Sequence, residues 1–132
     1  MPQVTAQLKN KLQVDVRAGG VVARLDEPKE NGGDGTGLSP SESLLAALAG
    51  CAAITLRLYA QRKQWPLTGV RIEATLERPA PGAPDATQRI VQTVHLEGAL
   101  DDEQKKRLVE IAGKCPVHKT LQGPLVMEER LG

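Results

Sequence analysis

Aromatic side chains are almost missing from this chain: there is no phenylalanine, and Trp65 and Tyr59 stand alone. Base-stacking platforms need aromatic faces, so a nucleic-acid partner is not expected. Charge of one sign is missing too. Seventeen Lys and Arg against 16 Asp and Glu leave a net charge of +1, which points to neither nucleic acid nor an acidic partner. Cysteine is scarce, at two residues, too few for a disulfide framework and more in keeping with free, catalytic or metal-binding thiols. No positively charged start followed by an apolar run marks a secretory signal, so a cytoplasmic location is the expectation. The longest uncharged stretch, Ser43 to Leu56, is rich in alanine and falls short of the about 20 strongly apolar residues that cross a bilayer, so no membrane span is expected. At 132 residues the chain has the length of one domain with a real core.

What is present centres on the segment from Ser39 to Tyr59. Ser39 is a good N-cap, Pro40 suits the first helical position, and Glu42 completes a capping box. Leu44, Leu45, Leu48, Ile54 and Leu56, with alanines between them, then cover nearly every direction around the axis. A helix that is apolar all round is buried, so this segment predicts a central helix wrapped by the rest of the protein. One protomer of this size struggles to cover it, which makes a homodimer the expectation.

The flanking segments read as strands and short helices. Val4 to Val16 alternates loosely around a polar Lys9–Lys11 turn, Gly19-Gly20 makes a second turn, and Val21–Leu25 a third strand. Glu27 to Leu38 is glycine-rich and reads as a flexible loop; its spacing fits neither phosphate-binding fingerprint. After Arg62 and Lys63, Pro66 ends the long helix. Val70–Leu76 alternates cleanly, Pro79–Asp85 is a turn, and Ile90–Leu96 returns. Asp101–Gly113 is a short amphipathic helix, Cys115-Pro116 opens another that runs to Leu121, and Leu125–Met127 begins a last strand. Strands do not alternate with helices, so the class is α+β with antiparallel sheets around the long helix.

The chemistry concentrates on Cys51 and Cys115. Cys115 sits at an N-cap, where unpaired N–H groups and the helix dipole favour a thiolate, and Lys114 and Lys119 add positive charge. Cys51, amid apolar residues, gets no such help and reads equally as a small buried hydrophobe. His118, three residues after Cys115, is either an exposed helix residue or a partner of the thiol. A tetrahedral metal site from Cys51, His95, Cys115 and His118 would have at most one of the paired local ligand sets usual for zinc, so no metal is expected.

The combination of Ser39-Pro-Ser-Glu-Ser-Leu-Leu-Ala-Ala-Leu-Ala-Gly-Cys51 with Lys114-Cys-Pro-Val-His118 resembles the OsmC/Ohr family of osmotically inducible and organic hydroperoxide resistance proteins. The resemblance implies an intertwined homodimer in which six-stranded sheets wrap two central helices. It implies a peroxidase in which Cys51 attacks an organic hydroperoxide, Cys115 resolves the sulfenic acid as a disulfide, and an external dithiol recycles it, with no metal, haem or flavin. It also implies a cation from the first hairpin beside Cys51; Lys11 aligns best, with Arg17 and Arg24 nearby. The family's peroxidases carry a glutamate ten residues before the first cysteine, where this chain has Ser41. Glu42, nine before, falls roughly opposite Cys51 at about 100° per residue. That departure motivates a second reading, a non-catalytic redox sensor or small-ligand-binding protein on the same scaffold.

Overall fold

The computed structural model describes residues 1–132. The chain divides into two compact units, Met1–Leu44 and Leu45–Gly132, with the long helix α1 (Pro40–Lys63) beginning in the first and running through the second.

The N-terminal unit is an antiparallel meander of β1 (Thr5–Leu8), β2 (Val14–Ala18) and β3 (Val21–Leu25). Thr5 pairs with Arg17, and Val14 with Leu25. Both turns fall where glycine and polar residues predict them, and Gly19 takes φ +57°, a left-handed value that glycine adopts without cost. Apart from the glycine-rich loop, little of this unit is enclosed. Its hydrophobics Val4, Leu8, Val21 and Val22 are all exposed.

The loop after β3 is not the flexible connector expected from its glycines. Asp26, the one buried charged residue, holds it together. Its carboxylate accepts hydrogen bonds from the backbone N–H groups of Glu27 (2.8 Å), Asp34 (3.3 Å) and Thr36 (3.1 Å) and from the Thr36 hydroxyl (2.7 Å). The loop therefore does cradle an anion, and the anion is its own side chain. Gly33 is required because a Cβ there would collide with the Glu27 carbonyl. These donors, the Thr36 hydroxyl first, hold the Asp26 carboxyl below its ordinary value. A depressed carboxylate stabilises the fold above its unfolded pKa, and the contribution is lost as pH falls through the folded value. Asp26→Asn is thus expected to lower the urea midpoint at neutral pH, with the gap to wild type closing at strongly acid pH. A gap that stays constant with pH would show that the charge is not what holds the loop.

The C-terminal unit packs α1 against a two-stranded antiparallel sheet of β4 (Leu67–Glu77) and β5 (Arg89–Gly98), together with helix α2 (Asp102–Ala112). Val70 pairs with Leu96 and Ile72 with Val94, and these period-two residues lean on a core of Ala52, Leu56, Tyr59, Leu67, Leu108 and Ile111. Helix α2 is closed by a reciprocal capping box between Asp101 and Gln104. Helix α3 (Pro116–Gln122) follows. The class is α+β with antiparallel sheets, as the order of elements predicts.

Three expectations are corrected. Leu125–Met127 forms no strand: no strand of this chain pairs with it, and a lone extended segment gains no ladder hydrogen bonds. The long helix is not buried all round within one chain. Leu48, Ala52, Leu56, Tyr59 and Ala60 are buried along it, whereas Leu44, Ile54 and Leu58 lie exposed. Finally, α1 is 24 residues long with an 18-residue window of mean hydropathy 1.6, so length and composition alone do not keep it out of a membrane. Its packed stripe in the core is what marks it as a core helix.

Candidate active site

The start of α1 is built as the sequence predicts. The Ser39 N–H donates to Glu42 Oε1 (2.9 Å), and the Glu42 N–H donates to Ser39 Oγ (3.2 Å). Those bonds hold the Glu42 carboxyl below its usual range and commit Glu42 to the cap. Three turns further on, Cys51 is half-buried on the wall of an apolar pocket of about 490 Å³. Ala47, Gly50, Ile54 and Leu58 of α1 and Pro116 of α3 line it, with no charged side chain among its walls. Thr55, one turn after Cys51, also lines the pocket and donates its hydroxyl hydrogen to the Cys51 carbonyl oxygen (2.8 Å).

Cys115 arrives from the other side of the sequence. Gly113 closes α2, and Cys115 caps α3 with Pro116 at the first helical position. The cap geometry is the expected one: the His118 backbone N–H donates to Cys115 Sγ (3.3 Å). The consequence for reactivity is not. Cys115 is fully buried, and burial pushes its thiol above the ordinary cysteine value, outweighing the N–H groups of His118 and Val117 that pull it down. Contact with the Cys51 thiol pushes in the same direction. Cap position had made Cys115 the more activated thiol. Its burial, set by residues distant in sequence, reverses that, and Cys115 is held protonated.

The fold therefore brings the two cysteines, both reduced, into one neighbourhood: Pro116, next to Cys115 in the chain, lines the same pocket as Cys51, and the Cys51 thiol bears on the ionisation of Cys115. One thiol faces an apolar pocket; the other waits behind it. The remaining sequence candidates stand in the N-terminal unit. Lys11 occupies the first hairpin turn at φ +51°, with its Nζ 3.1 Å from Asp34 Oδ1. Arg24 pairs with Asp15 at 3.1 Å across β2 and β3. Arg17 is exposed on β2 between Thr5 and Val22.

The histidines do not act on the thiols as candidate ligands. His95 Nε2 lies 3.6 Å from Glu73 Oε1, an ion-pair distance too long for a hydrogen bond. His118 contacts Cys115 through its backbone, and its ring lines a second cavity of about 330 Å³ with Leu48, Ile90, Gln92 and Leu121. There, His118 Nδ1 and Gln92 Oε1 are buried without a hydrogen-bond partner in the chain. No three His, Cys, Asp or Glu side chains are grouped to hold a metal ion. Sequence reasoning missed Thr55 and Gln92; only the i, i+4 spacing of Thr55 from Cys51 signals the first.

Known proteins share this architecture. The sequence profile of the family described as OsmC-like protein matches residues 33–130. No curated protein matches the chain. Among solved structures, an OsmC-like protein from Mycoplasma pneumoniae superimposes with a TM-score of 0.80 at 25% identity, covering 94% of this chain and 89% of that one. A putative organic hydroperoxide resistance protein from Vibrio cholerae, with captopril bound in one of its active sites, gives 0.68 at 25% identity, covering 93% and 86%. The organic hydroperoxide resistance protein OhrB of Bacillus subtilis gives 0.62 at 21%, covering 95% and 93%.

Proposed function

The chain belongs to the OsmC-like protein family, matched over residues 33–130, and on that footing we propose that it is a cysteine-based peroxidase for organic hydroperoxides. The observation that carries this reading is the neighbouring thiols: Cys51 stands on the wall of a pocket without charge, and Pro116, the residue after Cys115, lines that same pocket. A pocket of that kind favours an organic tail over water and over charged solutes. Cys51, as thiolate, attacks the terminal oxygen of the hydroperoxide. A sulfur–oxygen bond forms, the O–O bond breaks, and the electron pair leaves on the alkoxide, which takes up a proton to become the alcohol. The sulfur is oxidised by two electrons to a sulfenic acid. Cys115 then condenses with it, giving the Cys51–Cys115 disulfide and water, and an external dithiol restores both thiols by exchange. The buried, protonated state of Cys115 suits this second role, because it keeps that thiol from competing for peroxide. No metal, haem or flavin enters these steps.

Two further parts of the reading rest on the chain's uncovered surface. A homodimer would cover Ile54 and Leu58 of α1 and the exposed hydrophobics of the N-terminal unit. The cation that stabilises the Cys51 thiolate would come from Lys11 or Arg17, since the pocket wall has none. That uncharged wall is also what favours the second reading, a slow redox sensor or ligand-binding protein in which oxidation is stoichiometric.

One equivalent of cumene hydroperoxide is expected to remove both free thiols and leave an intramolecular disulfide, read by thiol titration and mass. Thiols that remain titratable would defeat the peroxidase reading. Oxidation without continued consumption in the presence of dihydrolipoamide would favour the sensor.

A further inference from the structure

The apolar pocket explains how an organic tail is held but leaves the peroxide group itself without a partner. A hydroperoxide R–O–O–H carries one hydrogen-bond donor, on the terminal oxygen, which is the atom the thiolate attacks. Burying that O–H in an apolar site without an acceptor costs about 1–3 kcal/mol. Among the residues lining the pocket, only Thr55 and Cys51 bear a polar side-chain atom. The Thr55 hydroxyl has its single hydrogen committed to the Cys51 carbonyl at 2.8 Å. A hydroxyl so committed retains its acceptor lone pairs, and the bond fixes where they lie.

We propose that Thr55 Oγ1 accepts a hydrogen bond from the terminal O–H of the hydroperoxide and so sets that oxygen against Cys51 Sγ. The proposal rests on the peroxidase reading and assigns a substrate-orienting residue to it. The spacing agrees. Residues four apart on a helix have Cβ atoms about 5–6 Å from each other. Cys51 and Thr55 are such a pair and line the same pocket wall, and the proposal sets one oxygen at a near-attack approach of about 3–3.5 Å from the sulfur and about 2.7–2.8 Å from Thr55 Oγ1. The arrangement persists through the reaction: the oxygen transferred to sulfur keeps its hydrogen, and the sulfenic acid O–H stays on Thr55 Oγ1 while the alcohol departs. An oxidant without an O–H gains nothing from Thr55.

Thr55→Val replaces the hydroxyl by a methyl of nearly equal size and keeps the β-branch, and Thr55→Ser restores the hydroxyl. With cumene hydroperoxide, Thr55→Val is expected to lower kcat/KM about tenfold, the weight of one hydrogen bond in an apolar site, and Thr55→Ser to recover most of it. The control oxidant is 4,4′-dithiodipyridine, which reacts with thiolates and has no donor. Its rate with Cys51, measured in a Cys115→Ser background, should be the same for all three proteins. Equal hydroperoxide kinetics in wild type and Thr55→Val would overturn the proposal. So would a matching loss with dithiodipyridine, which would mean that Thr55 acts on the thiol itself. A wild-type protein inert to hydroperoxide but oxidised by dithiodipyridine would overturn the peroxidase reading, and this assignment with it.

Discussion

Cys51→Ser should lower the rate of hydroperoxide consumption on the order of 10⁴-fold or more, because it removes the nucleophile and a serine hydroxyl does not reduce an O–O bond. Cys115→Ser should behave differently. Its first turnover proceeds at nearly the wild-type rate, one equivalent of alcohol forms, and the reaction stops at a Cys51 sulfenic acid that dimedone traps as a mass adduct. The difference follows from the two environments: Cys51 lines a pocket, whereas Cys115 is fully buried with its thiol pushed up. If Cys115→Ser abolished the first turnover while Cys51→Ser left it intact, the roles would be reversed. The same burial sets a pH dependence for the wild type. Because Cys115 is held protonated above the ordinary cysteine range, the fraction available as attacking thiolate grows with pH beyond that range. Disulfide closure should therefore keep accelerating with pH beyond the ordinary cysteine range, as stopped-flow traces of the closure step at several pH values would resolve.

What the sequence disclosed and what it hid divide along the distance over which each feature is determined. The Ser39–Glu42 capping box is a matter of four adjacent residues, and it forms with both of its hydrogen bonds. The β4–β5 pair follows from period two on each strand, which the register Val70↔Leu96 and Ile72↔Val94 preserves. The Cys115 cap was legible for the same reason, since Pro116 fixes it locally. The burial that inverts its reactivity was not, because it depends on how distant elements close around it. Asp26 was hidden between the third strand and the glycine-rich loop; nothing in Asp26-Glu27-Pro28 says that backbone N–H groups 8 and 10 residues later will converge on its carboxylate. The pairing of Cys51 with Cys115 came from resemblance to a family and not from the residues themselves. Thr55 was overlooked because a threonine inside a helix has an ordinary use, a hydrogen bond to the carbonyl one turn back.

Leu56 and Leu58 are two residues apart on α1 and should respond to the same substitution in opposite ways. Leu56 is 0% exposed and belongs to the cluster with Tyr59, Leu67 and Leu108, whereas Leu58 is 60% exposed. Leu56→Ala removes buried methyl groups and leaves a cavity, a change that costs about 2–5 kcal/mol in packed cores; even the lower figure is a factor of roughly 30 in the folding equilibrium. Urea unfolding should show that loss at every protein concentration. Leu58→Ala removes no core contact of its own chain, so its effect on an isolated protomer should be within about 0.5 kcal/mol. If a second copy covers the face that carries Ile54 and Leu58, the cost of Leu58→Ala appears instead as weaker association: a midpoint that falls on dilution and a mass that shifts toward monomer in sedimentation. Mass action makes that signature distinct from a core defect, because only the linked equilibrium depends on protomer concentration. A Leu58→Ala protein with unchanged mass and midpoint across a hundredfold dilution would mean that the exposed face of α1 is not what a partner copy holds, and the apolar pocket beside Cys51 would then have to work while open to water on that side.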